Sequence, residues 1–220
     1  DFHAAALEVA TSKDRIPYGT IRDGYVFNFW QDDEHVRGIW RRTTLDSYGR
    51  DEPEWRSVLD IDALAVADDA NWVFKGANVH RPHGADRSLC MVSLSDGGKD
   101  ATIQREFDIE TAAFVDGGFE TPEAKQGLSW VDAETVLIAT DWGDGSLTDS
   151  GYPSVVKRWS RGTDLADAVE VFRGESTDVG VWPFTLETAD GTLLTGAVQS
   201  DTFFTSTYWL FTDRGPVKWP

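Results

Sequence analysis

The chain has 220 residues, 40% hydrophobic and 26% charged, a balance that excludes a disordered chain and leaves room for one large domain or two small ones. Its 38 acidic against 20 basic residues give a net charge of −18, which repels phosphate backbones and anionic bilayers, so neither nucleic acid nor membrane is expected as a partner. Cys90 is the only cysteine and sits in the apolar run Leu89-Cys90-Met91-Val92; an intrachain disulfide and a CxxC motif are excluded, and a buried, inert thiol is predicted.

Phe2 to Ala10 is Ala-rich, with Phe2, Ala6, Val9 and Ala10 along one face, and reads as a short helix that Pro17 stops. Beyond it, short β-type runs alternate with Gly, Asp, Pro and Ser clusters and fall into groups of four. The first group is Tyr18–Arg22, Tyr25–Trp30, Gly38–Leu45 and Trp55–Asp60, and the second is Trp72–Ala77, Ser88–Ser95, Ala101–Ile109 and Ala113–Asp116. Gly127–Trp130, Val136–Asp141, Ser154–Trp159 and Val169–Phe172 follow, then Val181–Leu186, Thr192–Gln199, Ser206–Thr212 and Pro216–Trp219.

Spacing decides what the groups are. The third strands centre on Trp40, Ile103, Val156 and Tyr208, at intervals of 63, 53 and 52 residues. A four-strand unit recurring about every 50 residues is the mark of propeller blades, whereas a Greek-key sandwich has no reason to repeat. Turns such as Arg22-Asp23-Gly24, Asp116-Gly117-Gly118 and Asp213-Arg214-Gly215 put Asp and Gly where a tight reversal needs positive φ. Ten Trp, twelve Phe and five Tyr suit strands packed face to face, an aromatic core being favoured over a ligand-stacking surface. The fold class is thus all-β: four-stranded antiparallel blades at about 17–66, 71–119, 126–174 and 179–220, preceded by a helix and lead-in over 1–16.

No chemistry announces itself. There is no GxSxG elbow, and Gly174-Glu175-Ser176 and Gly145-Ser146 lack its second glycine. His80 and His83 at i and i+3 flank Pro82, which argues against a helical metal pair and for a solvated loop. Asp141 and Asp144 are three apart, where a calcium loop needs oxygens at every second position, so this stretch reads as a long connection between the second and third strands of the third blade. Ser93-Leu94-Ser95-Asp96-Gly97-Gly98 does not fit the Asp-box of sialidase-type propellers, and no Gly-Lys-Ser/Thr phosphate loop exists. No catalytic residue, no metal ligand and no cofactor site is predicted within the chain.

Several ordered words of the sequence are familiar together: Asp14-Arg15-Ile16-Pro17-Tyr18, Gly24-Tyr25-Val26-Phe27-Asn28-Phe29-Trp30-Gln31-Asp32, and Arg37-Gly38-Ile39-Trp40-Arg41-Arg42-Thr43-Thr44-Leu45. With Asn71-Trp72-Val73-Phe74, Gly145-Ser146-Leu147-Thr148-Asp149-Ser150-Gly151-Tyr152-Pro153 and Val156-Lys157-Arg158-Trp159, the series resembles the N-terminal propeller of bacterial prolyl oligopeptidases. The resemblance implies about four blades of a seven-bladed propeller that caps an α/β-hydrolase domain carrying a Ser-Asp-His triad. Such an enzyme cleaves short peptides after proline, and its propeller admits peptides while excluding folded proteins. Proline-containing peptides and the hydrolase domain of the same protein are the implied partners, and Lys125 and Gln126 are placed at a possible substrate tunnel. A closed four-bladed binding module and a glycosidase-like propeller are the alternatives. Pro216-Val217-Lys218-Trp219-Pro220 ends in mid-pattern, from which partial disorder, self-association through exposed blade faces, or a chain cut down from a longer one is expected. The cytoplasm is the expected compartment, since no 18-residue apolar run or leader pattern appears, with the periplasm open if a leader was removed.

Overall fold

The computed structural model describes residues 1–10, 16, 18–80 and 88–219. Helix α1 (Phe2–Ala10) forms as expected, while its stop at Pro17, the word Asp14-Arg15 and His83 lie outside the described residues. Two compact units are present: Asp1–Phe74 with Asp96–Gly98, and Lys75–Ser95 with Lys99–Pro220.

The first unit holds one blade, β1 (Thr20–Arg22), β2 (Tyr25–Trp30), β3 (Ile39–Thr44) and β4 (Arg56–Asp60), in sheet order β1-β2-β3-β4. Asp23 and Gly24, at φ of 49° and 81°, make the two-residue reversal that lets β1 and β2 twist together. Val26, Phe27, Trp40, Val58 and Leu59 are buried, and the Trp40 ring lies 5.5 Å from Phe27 and 5.7 Å from Phe74. Two short helices escaped the sequence reading. Thr44 caps α2 (Leu45–Tyr48) by accepting from Ser47 N, and Asp60 caps α3 (Ile61–Asp68) by accepting from Ala63 N. Both caps come at strand ends, so each helix starts where a strand stops.

The second blade is β5 (Trp72–Val79), β6 (Leu89–Asp96), β7 (Thr102–Asp108), β8 (Ala113–Phe114) and β9 (Glu120–Ala124). Its fourth strand is split: β8 pairs with the end of β7 and β9 with its beginning. The sequence reading made Ala113–Asp116 the fourth strand of a blade at about 71–119; instead β8 stops at Phe114, and Gly117, at φ 66°, carries the chain back to pair again as β9. The third blade is β10 (Gly127–Asp132), β11 (Thr135–Ala139), β12 (Val155–Ser160) and β13 (Val169–Arg173), and the fourth is β14 (Gly180–Glu187), β15 (Leu193–Ser200), β16 (Ser206–Thr212) and β17 (Gly215–Lys218). Both are four-stranded meanders.

Strand β11 shows how the blades stack. Val136, Leu137, Ile138 and Ala139 are all fully buried, a continuous apolar run that fits a strand covered on both faces. Val136 and Ile138 join Met91, Phe119, Leu128, Trp130 and Trp159, whereas Leu137 and Ala139 join Val156, Phe172, Val181 and Ala197. Alternation along one strand thus feeds two cores. Cys90 is buried, as its apolar run indicated.

Candidate functional site

In each blade of the second unit the first strand stands at the edge of its sheet, so one row of its backbone groups has no strand beside it. These edge strands, β5, β10 and β14, wall a cavity of about 750 Å3. Lys75 and Asn78 come from β5, Ser129 and Trp130 from β10, and Thr185 and Glu187 from β14. Gly76, at φ 126°, has nothing within 4 Å of where a Cβ would stand, so the wall is open there.

The wall is stitched across blades. Asn78 Nδ2 donates to Leu128 O at 2.6 Å, and Trp130 Nε1 donates to Asn78 O at 2.9 Å. His80, placed by the sequence reading in a solvated loop, is buried and packs 5.2 Å from the Trp130 ring. The correction has a plain cause: its backbone N–H donates to Leu89 O, which extends the β5–β6 pairing one residue beyond the strand. On β14, Val181 N donates outward to Pro153 O, and Pro183, two residues on, has no N–H to offer at the equivalent place. Thr185 Oγ1 is shielded from solvent and has no hydrogen-bond partner among the described residues.

Lys125 and Gln126 come together at the link between β9 and β10, and neither lines the cavity, whose β10 wall is formed by Ser129 and Trp130. Lys125 Nζ sits 4.0 Å above the Tyr152 ring, and Tyr152 OH donates to Asp100 Oδ2 at 3.4 Å. Gln126 Nε2 donates to Thr102 O and to Pro122 O, while Gln126 Oε1 is shielded and has no partner among the described residues. Trp182 completes the group, edge-on to Tyr152 at 5.9 Å. Gly127 is needed beneath it, since a Cβ there would come within 2.9 Å of Trp182 Cε3. The sequence reading missed Tyr152 and Trp182 as neighbours of Lys125; the only signal was the turn word Gly151-Tyr152-Pro153.

The other motifs have local uses. Asp141 Oδ1 accepts from Gly143 N at 2.9 Å, and Ser146 Oγ donates to Gly143 O at 2.6 Å, so this loop satisfies its own polar groups. It joins β11 to β12, the connection expected of it. Asp32 is held at about pH 2 for its titration, chiefly because His35 N donates to its carboxylate, with Glu34 N, the His35 ring and the Trp30 indole adding to the effect. Among the described residues no cluster of three metal-ligating side chains occurs. The described lining of the cavity pairs no hydroxyl with an imidazole.

A family model for the prolyl oligopeptidase N-terminal β-propeller domain matches residues 4–218. The chain belongs to the prolyl oligopeptidase family. Its relatives include an uncharacterized peptidase of Sinorhizobium fredii, 45% identical over 87% of this chain, and one of Rickettsia prowazekii, 33% identical over 86%. In each case the chain spans 26% of the relative's length. Among solved structures, a post-proline cleaving enzyme from Rickettsia typhi superposes with a TM-score of 0.83 at 28% identity, over 92% of this chain and 30% of that one. Oligopeptidase B from Leishmania major gives 0.67 at 14% identity, over 96% and 28%, a likeness of fold alone. The four antiparallel sheets are therefore blades of a prolyl oligopeptidase propeller, and the cavity is framed by the first strands of three of them.

Proposed function

We propose that this chain is the non-catalytic, substrate-gating part of a serine peptidase that cleaves short peptides after proline, with the Ser-Asp-His triad on an α/β-hydrolase domain of the same protein. The cavity carries the reading. Its volume of about 750 Å3 suits an extended peptide and is far too small for a folded domain. Its wall offers polar side chains and strand edges without a nucleophile–base pair, so it selects by size and leaves the chemistry to another domain. The name of the Rickettsia typhi structure, a post-proline cleaving enzyme, supports the choice of bond.

Lys125 and Gln126 are the residues we assign to substrate contact in this reading. An ammonium held over Tyr152 presents donors to a peptide carbonyl or carboxylate, and Gln126 Nε2 fixes the adjoining link by its bonds to Thr102 O and Pro122 O. We assign the protein to the cytoplasm, where a single buried thiol stays reduced.

A proline-containing chromogenic peptide tests the assignment. The full-length parent protein should release the chromophore, and the 220-residue chain alone should release none; cleavage by the chain alone would overturn the reading. In the full-length protein, Lys125→Ala and Gln126→Ala should each raise KM several-fold with kcat unchanged. An unmoved KM would remove both from the substrate path.

A further inference from the structure

In a chain this acidic, cations tend to find carboxylates: Lys99 pairs with Glu123, Arg161 with Glu106 and Glu134, and Arg173 with Glu170. Lys125 departs from that rule. It is half-buried, yet among the described residues its ammonium has no carboxylate at ion-pair distance, only the Tyr152 ring 4.0 Å away. The nearby Asp100 accepts instead from Tyr152 OH. Trp182 lies edge-on to Tyr152, and its indole N–H has no acceptor among the described residues. Glycines fix that indole: a Cβ on Gly127 would come within 2.9 Å of Trp182 Cε3, and one on Gly180 within 3.2 Å of Trp182 Cζ2 and of Tyr152 Cβ. Two donors without acceptors thus flank one aromatic ring, an arrangement suited to an anion.

The group also continues the wall of the cavity. Gly127 opens β10 two residues before Ser129, and Trp182 stands on β14 three residues before Thr185. At about 3.3 Å per residue the group lies about 7–10 Å along these strands from the lining, so an extended peptide reaches it with about two or three further residues.

We propose that Lys125 and the Trp182 indole N–H form a carboxylate-binding subsite, which makes the peptidase favour peptides carrying an acid beyond the segment held in the cavity. The proposal rests on the reading of the cavity as a peptide passage. A peptide's C-terminal carboxylate and an Asp or Glu side chain present the same group to these donors. With a net charge of −18 the surface as a whole repels acidic peptides, so a preference for them must come from a local cation.

Matched proline peptides offered to the full-length parent protein test this: a free C-terminal acid against its amide, and Glu against Gln within the amide series. For at least one pair the acid should show a KM about tenfold lower, as expected of one charge-assisted hydrogen bond, and the pair that shows it names the source of the carboxylate. Lys125→Ala should bring that ratio close to one, Lys125→Arg should keep most of it, and Trp182→Phe should lower it several-fold. Lys157→Ala, which removes an equal charge from above Trp142, should leave the ratio intact. Should Lys125→Ala fail to fold, Lys125→Gln gives the same reading. Calorimetric titration of the same pairs separates the subsite from the peptidase reading: Lys125-dependent binding of an acid without cleavage of any peptide would keep the subsite and sink the reaction. Equal KM and equal affinity within every pair, or a preference that survives Lys125→Ala or Trp182→Phe, would overturn the proposal.

Discussion

Within the second compact unit, the seam between the second and third blades and the seam between the third and fourth bury similar apolar side chains but are locked differently. At the first, Glu106 on β7 is buried and receives Arg161 Nη1 and Nη2 at 2.9 and 2.8 Å, with Phe119 N donating to the same carboxylate at 2.8 Å. Arg161 also donates to Ala133 O and lies over the Phe119 ring, and its guanidinium is held protonated further above its usual range by the bond to Glu106. At the second, Leu137, Ala139, Val156 and Phe172 meet Val181 and Ala197, and the links are backbone bonds such as Val181 N to Pro153 O and Asp149 N to Ser176 O. An ion pair with one partner buried fixes one geometry and is intolerant of losing a partner. An apolar seam with backbone links tolerates substitution in proportion to the volume removed.

The first seam should therefore fail more sharply than the second. Glu106→Ala strands a partly buried guanidinium and an unmet Phe119 N–H and should lower unfolding free energy in urea by about 3–5 kcal/mol. Changing Glu106 and Arg161 together to Met should restore most of that loss, because the penalty lies in the orphaned charge. A double variant as unstable as the single one would show that the pair sets the packing rather than merely surviving in it. Leu137→Ala opens a cavity in the second seam and should cost about 2–4 kcal/mol by the same titration. A loss below about 1 kcal/mol would mean that the third and fourth blades close over the void.

The difference between the seams also shows what the sequence could carry. Blade count and strand order were legible because each blade repeats Asp-Gly turns and aromatic strands, and β11 declared itself through four successive apolar residues. Arg161 and Glu106 are 55 positions apart, and no local pattern marks two charges that meet only across a blade boundary. The same holds for Lys125 on Tyr152 and for Trp182 against Gly127. Helix α3 was missed for another reason: Ile61-Asp62-Ala63-Leu64-Ala65-Val66-Ala67-Asp68 has apolar residues on every side, and only the Asp60 cap defines its start. His80 was misplaced because the neighbouring Pro82 dominated the local reading while the residue's own N–H bond to Leu89 prolongs the hairpin.

Gly127 tests whether the start of β10 in the third blade is coupled to the fourth. A methyl group there must displace Trp182, with 2.9 Å between Cβ and Cε3, and overpacking of this kind costs about 1–3 kcal/mol. Gly127→Ala should shift the tryptophan emission and lower the denaturation midpoint. An unchanged spectrum would show that Trp182 is free to move aside and does not brace the group around Lys125.

The smallest effect is expected away from both seams. Glu170 and Arg173 on β13 form an ion pair at 2.7 Å, and Arg173 Nη1 also donates to Gly145 O. The bond to Arg173 holds the Glu170 carboxyl below its usual range, so its stabilising contribution is present at neutral pH and is lost as the pH falls through and below the normal carboxylate titration. Both side chains are 42–50% exposed, which screens the pair and keeps its worth below about 1 kcal/mol. Glu170→Gln should therefore lower stability at pH 7 only slightly and flatten the acid limb of the stability curve, with the difference from the parent chain vanishing in about 1 M salt. A loss as large as that of Glu106→Ala would mean that the outer edge of the third blade, rather than its seams, sets the order in which the blades come apart.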